Sequence, residues 1–230
     1  MKKIIAITII SLIGIQGVQA QSTRFYGSSS SEMIFSFAII DNEGNDQGSI
    51  LRWAPVFNIQ GFANLDFANT FGFFTGLAIR NVGFIYDVPN SSVRMKYRTY
   101  NFGIPIGMKI GKLDFMFLFA GYEIEFPFHY KEKKFENEIK EKFGVWFSDR
   151  VEPIQQSLMA GIQFPYGMDI KFKYYLTNFH NRDYVEEIDG QFNKPYENLK
   201  SNVISISLSW NMFTNPKSYS KKISHQGNYR

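Results

Sequence analysis

The chain has 230 residues, no cysteine, an aromatic share of 17% and a formal charge of +4. Lack of cysteine excludes disulfides and thiolate metal sites, and the aromatic content excludes a disordered chain, because so many rings can bury ample apolar surface. The positive charge sits at the ends: two lysines near the start and four cations after Phe213 exceed it, leaving about −2 for the body and none of the basic bias of nucleic-acid binding.

In chain order, the first element reads as an export signal. Lys2 and Lys3 precede an uncharged apolar run from Ile4 to Ile15, and Val18-Gln19-Ala20 offers small residues at the cleavage positions, which places cleavage before Gln21. The apolar run is too short for a membrane helix, which needs ~20 residues. The division expected is a cleaved signal at 1–20, a periplasmic N-terminal segment at 21–31, a β-barrel at 32–213 and a basic periplasmic tail at 214–230.

Eight strands follow: Met33 to Ile40, about Leu51 to Leu65, Phe71 to Tyr86, one ending at Ile110, Leu113 to Phe126, Gln156 to Phe164, Met168 to Phe179 and Val203 to Phe213. The last shows the pattern most plainly. Ile204, Ile206, Leu208 and Trp210 share one face, and Ser205, Ser207 and Ser209 share the other. Period-two alternation of large apolar with small polar residues suits a wall between lipid and a polar lumen. The same alternation assigns Arg52, Arg80, Lys109, Glu123, Glu125, Asp169, Lys171 and Lys173 to the lumen. An eight-stranded barrel has room only for side chains there, so these charges are expected to pair into a polar plug; a narrow solute channel is the alternative.

Short links (Asp66 to Thr70, Gly111-Lys112, Pro165-Tyr166-Gly167) alternate with longer ones, above all Pro127 to Gln155 and His180 to Asn202. Tight turns at one end and long loops at the other match the periplasmic and outer ends of a bacterial barrel, with both termini periplasmic. Pro89-Asn90 and Asp189-Gly190 suit the centres of outer hairpins. Within the longest loop, Phe135, Ile139 and Phe143 recur every four residues, and Glu136/Lys140 and Glu138/Lys142 are i,i+4 pairs. That pattern predicts a short amphipathic helix over Lys131 to Trp146, either capping the mouth or contacting a partner or lipid headgroups.

The run YNFGIPIGMKIG, followed by LDFMFLFAGYEI, resembles the small PorT-like outer-membrane β-barrel proteins of Bacteroidota, through Tyr100, Ile104, Pro105, Ala120 and Gly121, with FFTGLAI around Gly76 before them. The resemblance implies an all-β, eight-stranded antiparallel barrel in the bacterial outer membrane. It fixes location better than activity, because such proteins are mostly of unassigned function and some resemble parts of secretion machinery. Two features depart from the pattern: 17 residues follow Phe213, where members usually end, and the fifth-to-sixth loop is enlarged.

Little in the chain suggests chemistry. The three histidines, His129, His180 and His225, lack the spacing of a metal site, and no serine motif accompanies them. The expected function is therefore a non-catalytic structural or interaction subunit of the outer membrane, without cofactor, in contact with lipid and with outer-membrane or periplasmic proteins. A lipid-modifying enzyme and a narrow channel are the alternatives. The expected partner contacts are Phe135, Ile139, Phe143 and Trp146 in the outer loop and Lys217, Lys221, Lys222 and Arg230 in the tail, which is either a passive end or docks on an acidic surface.

Overall fold

The computed structural model describes residues 23–42, 45–188 and 190–211. The export signal, Phe213 and the basic tail with Lys217, Lys221, Lys222, His225 and Arg230 lie outside the described residues. Eight long strands form a ring: β1 (Thr23–Asn42), β4 (Ile59–Phe67), β5 (Phe71–Asp87), β6 (Arg94–Lys112), β7 (Met116–Glu136), β9 (Gln155–Gln163), β10 (Met168–Tyr175) and β13 (Leu199–Asn211). Each pairs antiparallel with its neighbour, and β1 closes on β13 from Ser30↔Asn211 to Asn42↔Leu199. Closure leaves no unpaired edge, which is what a sheet in lipid requires. Shorter strands decorate one end: β2 (Asn45–Gly48) and β3 (Arg52–Ala54) pair with β1, β8 (Ile139–Trp146) pairs with β7, and β11 (Glu186–Ile188) pairs with β12 (Gln191–Asn193).

The opposite end is trimmed to tight links at 68–70, 113–115 and 164–167. Ala68 and Tyr166 take left-handed backbone there (φ 53° and 68°).

Three expectations are corrected. From Thr23 onward the segment placed outside the barrel is strand, paired with β4 from Thr23↔Phe67 to Ser31↔Ile59. Its Ser- and Gly-rich sequence hides the pattern because neither face is consistently apolar. The second strand is broken: between β3 and β4 the chain bulges at 55–58, with Pro55 unable to donate to a ladder and Phe57 at φ 63°. The predicted helix at Lys131 to Trp146 is a β-hairpin. β7 and β8 pair from His129↔Trp146 to Glu136↔Ile139 around Asn137-Glu138, both at positive φ (46° and 68°), as a tight two-residue hairpin turn demands. A spacing of four is also two strand periods, so Phe135, Ile139 and Phe143 could not discriminate helix from strand.

The barrel changes polarity along its axis. On the lower part of β6, Phe102, Ile104, Ile106, Met108 and Ile110 face outward while Asn101 and Lys109 are buried inside. Beyond Tyr100 the sense reverses: Tyr97 and Met95 are buried inside, and Arg98, Lys96 and Arg94 point out. β7 reverses at the same level, where its register with β6 slips between Tyr100 and Asn101, opposite Pro127.

Candidate functional site

Below the reversal, the outer wall is apolar: Leu77, Ile79, Ile104, Ile106, Leu118, Phe172, Ile206 and Leu208 are all exposed. The interior holds the charge. An exposed apolar band around a polar core inverts the soluble-protein arrangement and defines a membrane-spanning barrel. Closed barrels of this kind are the architecture of the bacterial outer membrane, and the fold places this chain there.

The lumen is filled in four tiers. At the trimmed end, Lys109 pairs with Asp66 at 2.5 Å and reaches Tyr26 Oη and Asn64 Oδ1 at 3.1 Å each. Arg24 bridges Asp66 (3.1 Å) and Asp114 (2.9 Å). Above this lies an aromatic tier in which Phe62 packs edge-on against Phe74 (5.4 Å), and Phe74 against Phe119 (6.2 Å). Glycines make room for these rings: a Cβ on Gly107 would come within 2.4 Å of Phe74, and one on Gly161 within 2.4 Å of Phe119.

The third tier is the ion network. Arg80 reaches Glu32 (2.7 Å), Glu123 (3.1 Å) and Gln60 Oε1 (2.8 Å). Lys171 pairs with Glu32, and Lys173 with Glu125 and, at 2.6 Å, with Glu123. Glu125 also accepts from Asn101 Nδ2 (2.7 Å) and Tyr175 Oη (2.8 Å). Three cations thus meet three carboxylates, all buried. Gly103 shapes the tier, since a Cβ there would lie 2.2 Å from Glu123 Oε1. A pocket among these side chains, lined by Glu32, Arg80, Lys171, Lys173 and Ser205, has a volume of about 10 Å³, room for roughly one water.

Arg52 and Asp169 are buried but take no part in these ion pairs. Asp169 lies opposite Ser209 on β13. Arg52 fills a seam between β1, β3 and β5, donating to Asn81 O (3.2 Å), Asn81 Oδ1 and Ser36 Oγ (3.5 Å). Asn58 stitches the same seam, donating to Ala54 O (2.8 Å) and accepting from Asn81 N (2.8 Å).

The fourth tier closes the outer mouth with rings. Phe179 and His180, after β10, and Tyr196, before β13, insert among Phe84, Tyr97 and Tyr130. His180 stacks on Tyr196 at 4.3 Å and meets Tyr97 edge-on at 4.5 Å. Neither of its ring nitrogens has a hydrogen-bond partner among the described residues, and burial pushes its pKa down to about 3. Arg150 lies over Tyr184 at 5.0 Å, pairs with Glu186 and donates to Tyr196 Oη at 3.3 Å. The sequence reading missed Glu32, the inward Phe74 and Phe119, and this whole cap. Carrying the alternation of β1 back from Met33 would have found Glu32; no local signal marks Phe179 or Tyr196, because loop residues follow no period.

The four outer-loop contact residues do not share a face. Phe135 and Trp146 sit outside the β7–β8 hairpin, whereas Ile139 and Phe143 are on its inner side, Phe143 near Tyr130 at 6.4 Å. His129 stacks on Trp146 (4.4 Å) on the outer face of the barrel, whereas His180 is buried among the rings inside it. Among the described residues no cluster of three or more His, Asp or Glu side chains could hold a metal ion.

No family model matches the chain, and no curated protein does. Among solved structures, Ail, the attachment invasion locus protein of Yersinia pestis, in complex with the heparin analogue sucrose octasulfate, is similar over 80% of this chain and 99% of its own, at 13% identity and a TM-score of 0.36. Neisserial surface protein A (NspA) is similar over 81% of this chain and 99% of its own, at 9% identity and a TM-score of 0.39. At such identities the likeness is one of barrel architecture, and nothing about activity follows from it.

Proposed function

We propose that the protein is a sealed, non-catalytic outer-membrane barrel that serves as a rigid structural or interaction subunit, presenting its outer hairpins to other molecules. The observation that carries this reading is the lumen itself: a charge-balanced ion network between two aromatic tiers, whose pocket among Glu32, Arg80, Lys171 and Lys173 has room for about one water. Breaking such pairs to admit a hydrated ion would strand buried charges, at a cost of several kcal/mol each. The histidines support the non-catalytic side of the reading, since His180 is enclosed by rings and His129 lies flat on Trp146. The YNFGIPIGMKIG and LDFMFLFAGYEI runs, which form the β6–β7 pair, favour the PorT-like barrels of Bacteroidota as the finer class and an outer-membrane or periplasmic protein as partner.

The test is reconstitution of the purified chain into planar bilayers. The sealed barrel gives no discrete conductance steps at either polarity. Stable, ion-selective single-channel currents would replace this reading with the channel. Hydrolysis or acyl transfer on labelled lipid A, abolished by replacing His129 or His180, would instead establish the enzyme.

A further inference from the structure

We infer that the outer face of the β6–β7–β8 sheet, just beyond the apolar band, is a docking surface for a phosphorylated glycolipid of the outer leaflet. The inference rests on the reading that the long hairpins face the cell exterior.

The strand register sets like charges directly opposite each other: Arg98 faces Lys131, Lys96 faces Lys133, and Lys133 faces Lys142. With Lys140 these make six cations on one face, and none of them forms an ion pair among the described residues. Like charges opposite one another destabilise a sheet, so the ladder costs the fold something that a bound anion would return. Partial burial, followed by the charges of Lys140, Arg98, Lys142 and Lys131, pushes the Lys133 pKa down.

Of the nearby acids, Glu141 is on the opposite face of β8, paired across from Lys134, and Glu138 is in the hairpin turn. Glu132 is on the inner face and accepts from Tyr130 Oη (2.7 Å), Glu136 pairs with Lys134 (2.6 Å), and Asp87 pairs with Arg94 (2.6 Å). Rings flank the ladder: Arg98 and Lys131 each lie 5.4 Å from the Tyr100 centroid, and Lys140 lies 5.6 Å from that of Phe135.

The order along the strands identifies the occupant. Lowest are the exposed aliphatic and aromatic residues Ile104, Phe102 and Phe126. Next comes a stack of flat rings, Tyr100 on His129 (5.8 Å) and His129 on Trp146 (4.4 Å). Arg98 and Lys131 follow two residues beyond Tyr100, about 7 Å along the strand, within the headgroup layer, and Lys96 and Lys133 follow about 7 Å further. Acyl chains, sugar rings and phosphates succeed one another in that order in a phosphorylated glycolipid. Arginine and lysine are the side chains that bind phosphate. Continuity with the apolar band is what favours a lipid over a soluble polyanion.

The experiment is native mass spectrometry of the full-length protein in mild detergent, titrated with bis-phosphorylated lipid A, with dephosphorylated lipid A and with a soluble sulfated oligosaccharide. Wild type is expected to retain the phosphorylated lipid in preference to the other two. The variant Lys131→Gln/Lys133→Gln/Lys142→Gln should bind it about tenfold more weakly or worse, as expected for losing several charge-assisted contacts. Its lipid-free thermal midpoint should equal or exceed that of wild type, because repulsion is relieved; a misfolded variant would not show this. A control variant, Lys112→Gln/Lys194→Gln, should bind as wild type. Equal retention of lipid A by the triple variant, equal retention of the dephosphorylated lipid, or preference for the soluble oligosaccharide would each overturn the proposal. Bilayer conductance is independent of every one of these outcomes, so the two readings fail separately.

Discussion

The middle of the lumen and the outer mouth are both closed, but by opposite means. In the middle, three cations and three carboxylates neutralise one another inside a wall whose outside is apolar. At the mouth, rings from β5, β6 and β7 and from two loops form a buried cluster inside a wall whose outside is charged. The same strands run through both. The difference teaches where the solvent changes: the strands obey membrane-barrel polarity below Tyr100 and soluble-protein polarity above it. A buried pair needs its partner, whereas a ring cluster needs only volume, so the two regions should respond differently to the same kind of substitution.

The largest expected effect is in the middle. Glu123→Ala leaves Arg80 and Lys173 each short of a carboxylate and should cost about 3–5 kcal/mol, measured by urea unfolding from lipid vesicles. Removing Lys173 as well restores the charge balance but takes the cation from Glu125, so the double variant should lose clearly less than the sum of the two single losses, the coupling expected of neighbours in one network. At the mouth, Phe84→Ala should cost about 3 kcal/mol through the cavity it opens, but Phe84→Leu should be well tolerated, because shape rather than charge is at stake. Additive losses in the double variant would remove the distinction between the regions.

Gly103→Ala sharpens it. A Cβ there would meet Glu123 Oε1 at 2.2 Å, so the carboxylate must shift and its bonds to Arg80 and Lys173 loosen, at about 1–3 kcal/mol. The mouth also carries a pH dependence. With its folded pKa lowered to about 3 against an unfolded value near 6.5, His180 stays neutral where the unfolded chain binds a proton. Stability is therefore complete above about pH 6.5 and declines as pH falls from there towards 3. Unfolding midpoints at pH 7 and pH 4 should drop further in wild type than in His180→Phe; identical drops would mean the ring is protonated in the folded cap.

How much of this was legible in the sequence follows the same division. Within the membrane, period-two alternation carries the information, so Arg80, Glu123, Glu125, Lys171 and Lys173 could be assigned to the interior without coordinates. Glu32 escaped because it sits one residue before Met33, where the apolar face of β1 begins, at the edge of a Ser-rich stretch that shows no period. Above the membrane the rule inverts, and alternation alone does not announce which face is inside. The β7–β8 hairpin was misread for that reason and because a spacing of four fits helix and strand alike. The cap was illegible for a different reason: Phe179, His180 and Tyr196 lie in loops and meet Phe84 and Tyr130 only once the ring has closed.

The most direct measurement exploits the absence of cysteine. Single cysteines introduced from Arg94 to Ile110 on β6 can be spin-labelled and their access to oxygen and to a polar relaxation agent compared. The polarity reversal predicts oxygen access at Phe102, Ile104, Ile106 and Met108, polar-agent access at Lys96 and Arg98, and access to neither at Tyr97 and Asn101. Oxygen-accessible labels continuing in phase through Arg98 and Lys96, or polar-agent access at Asn101, would contradict the inverted, sealed barrel.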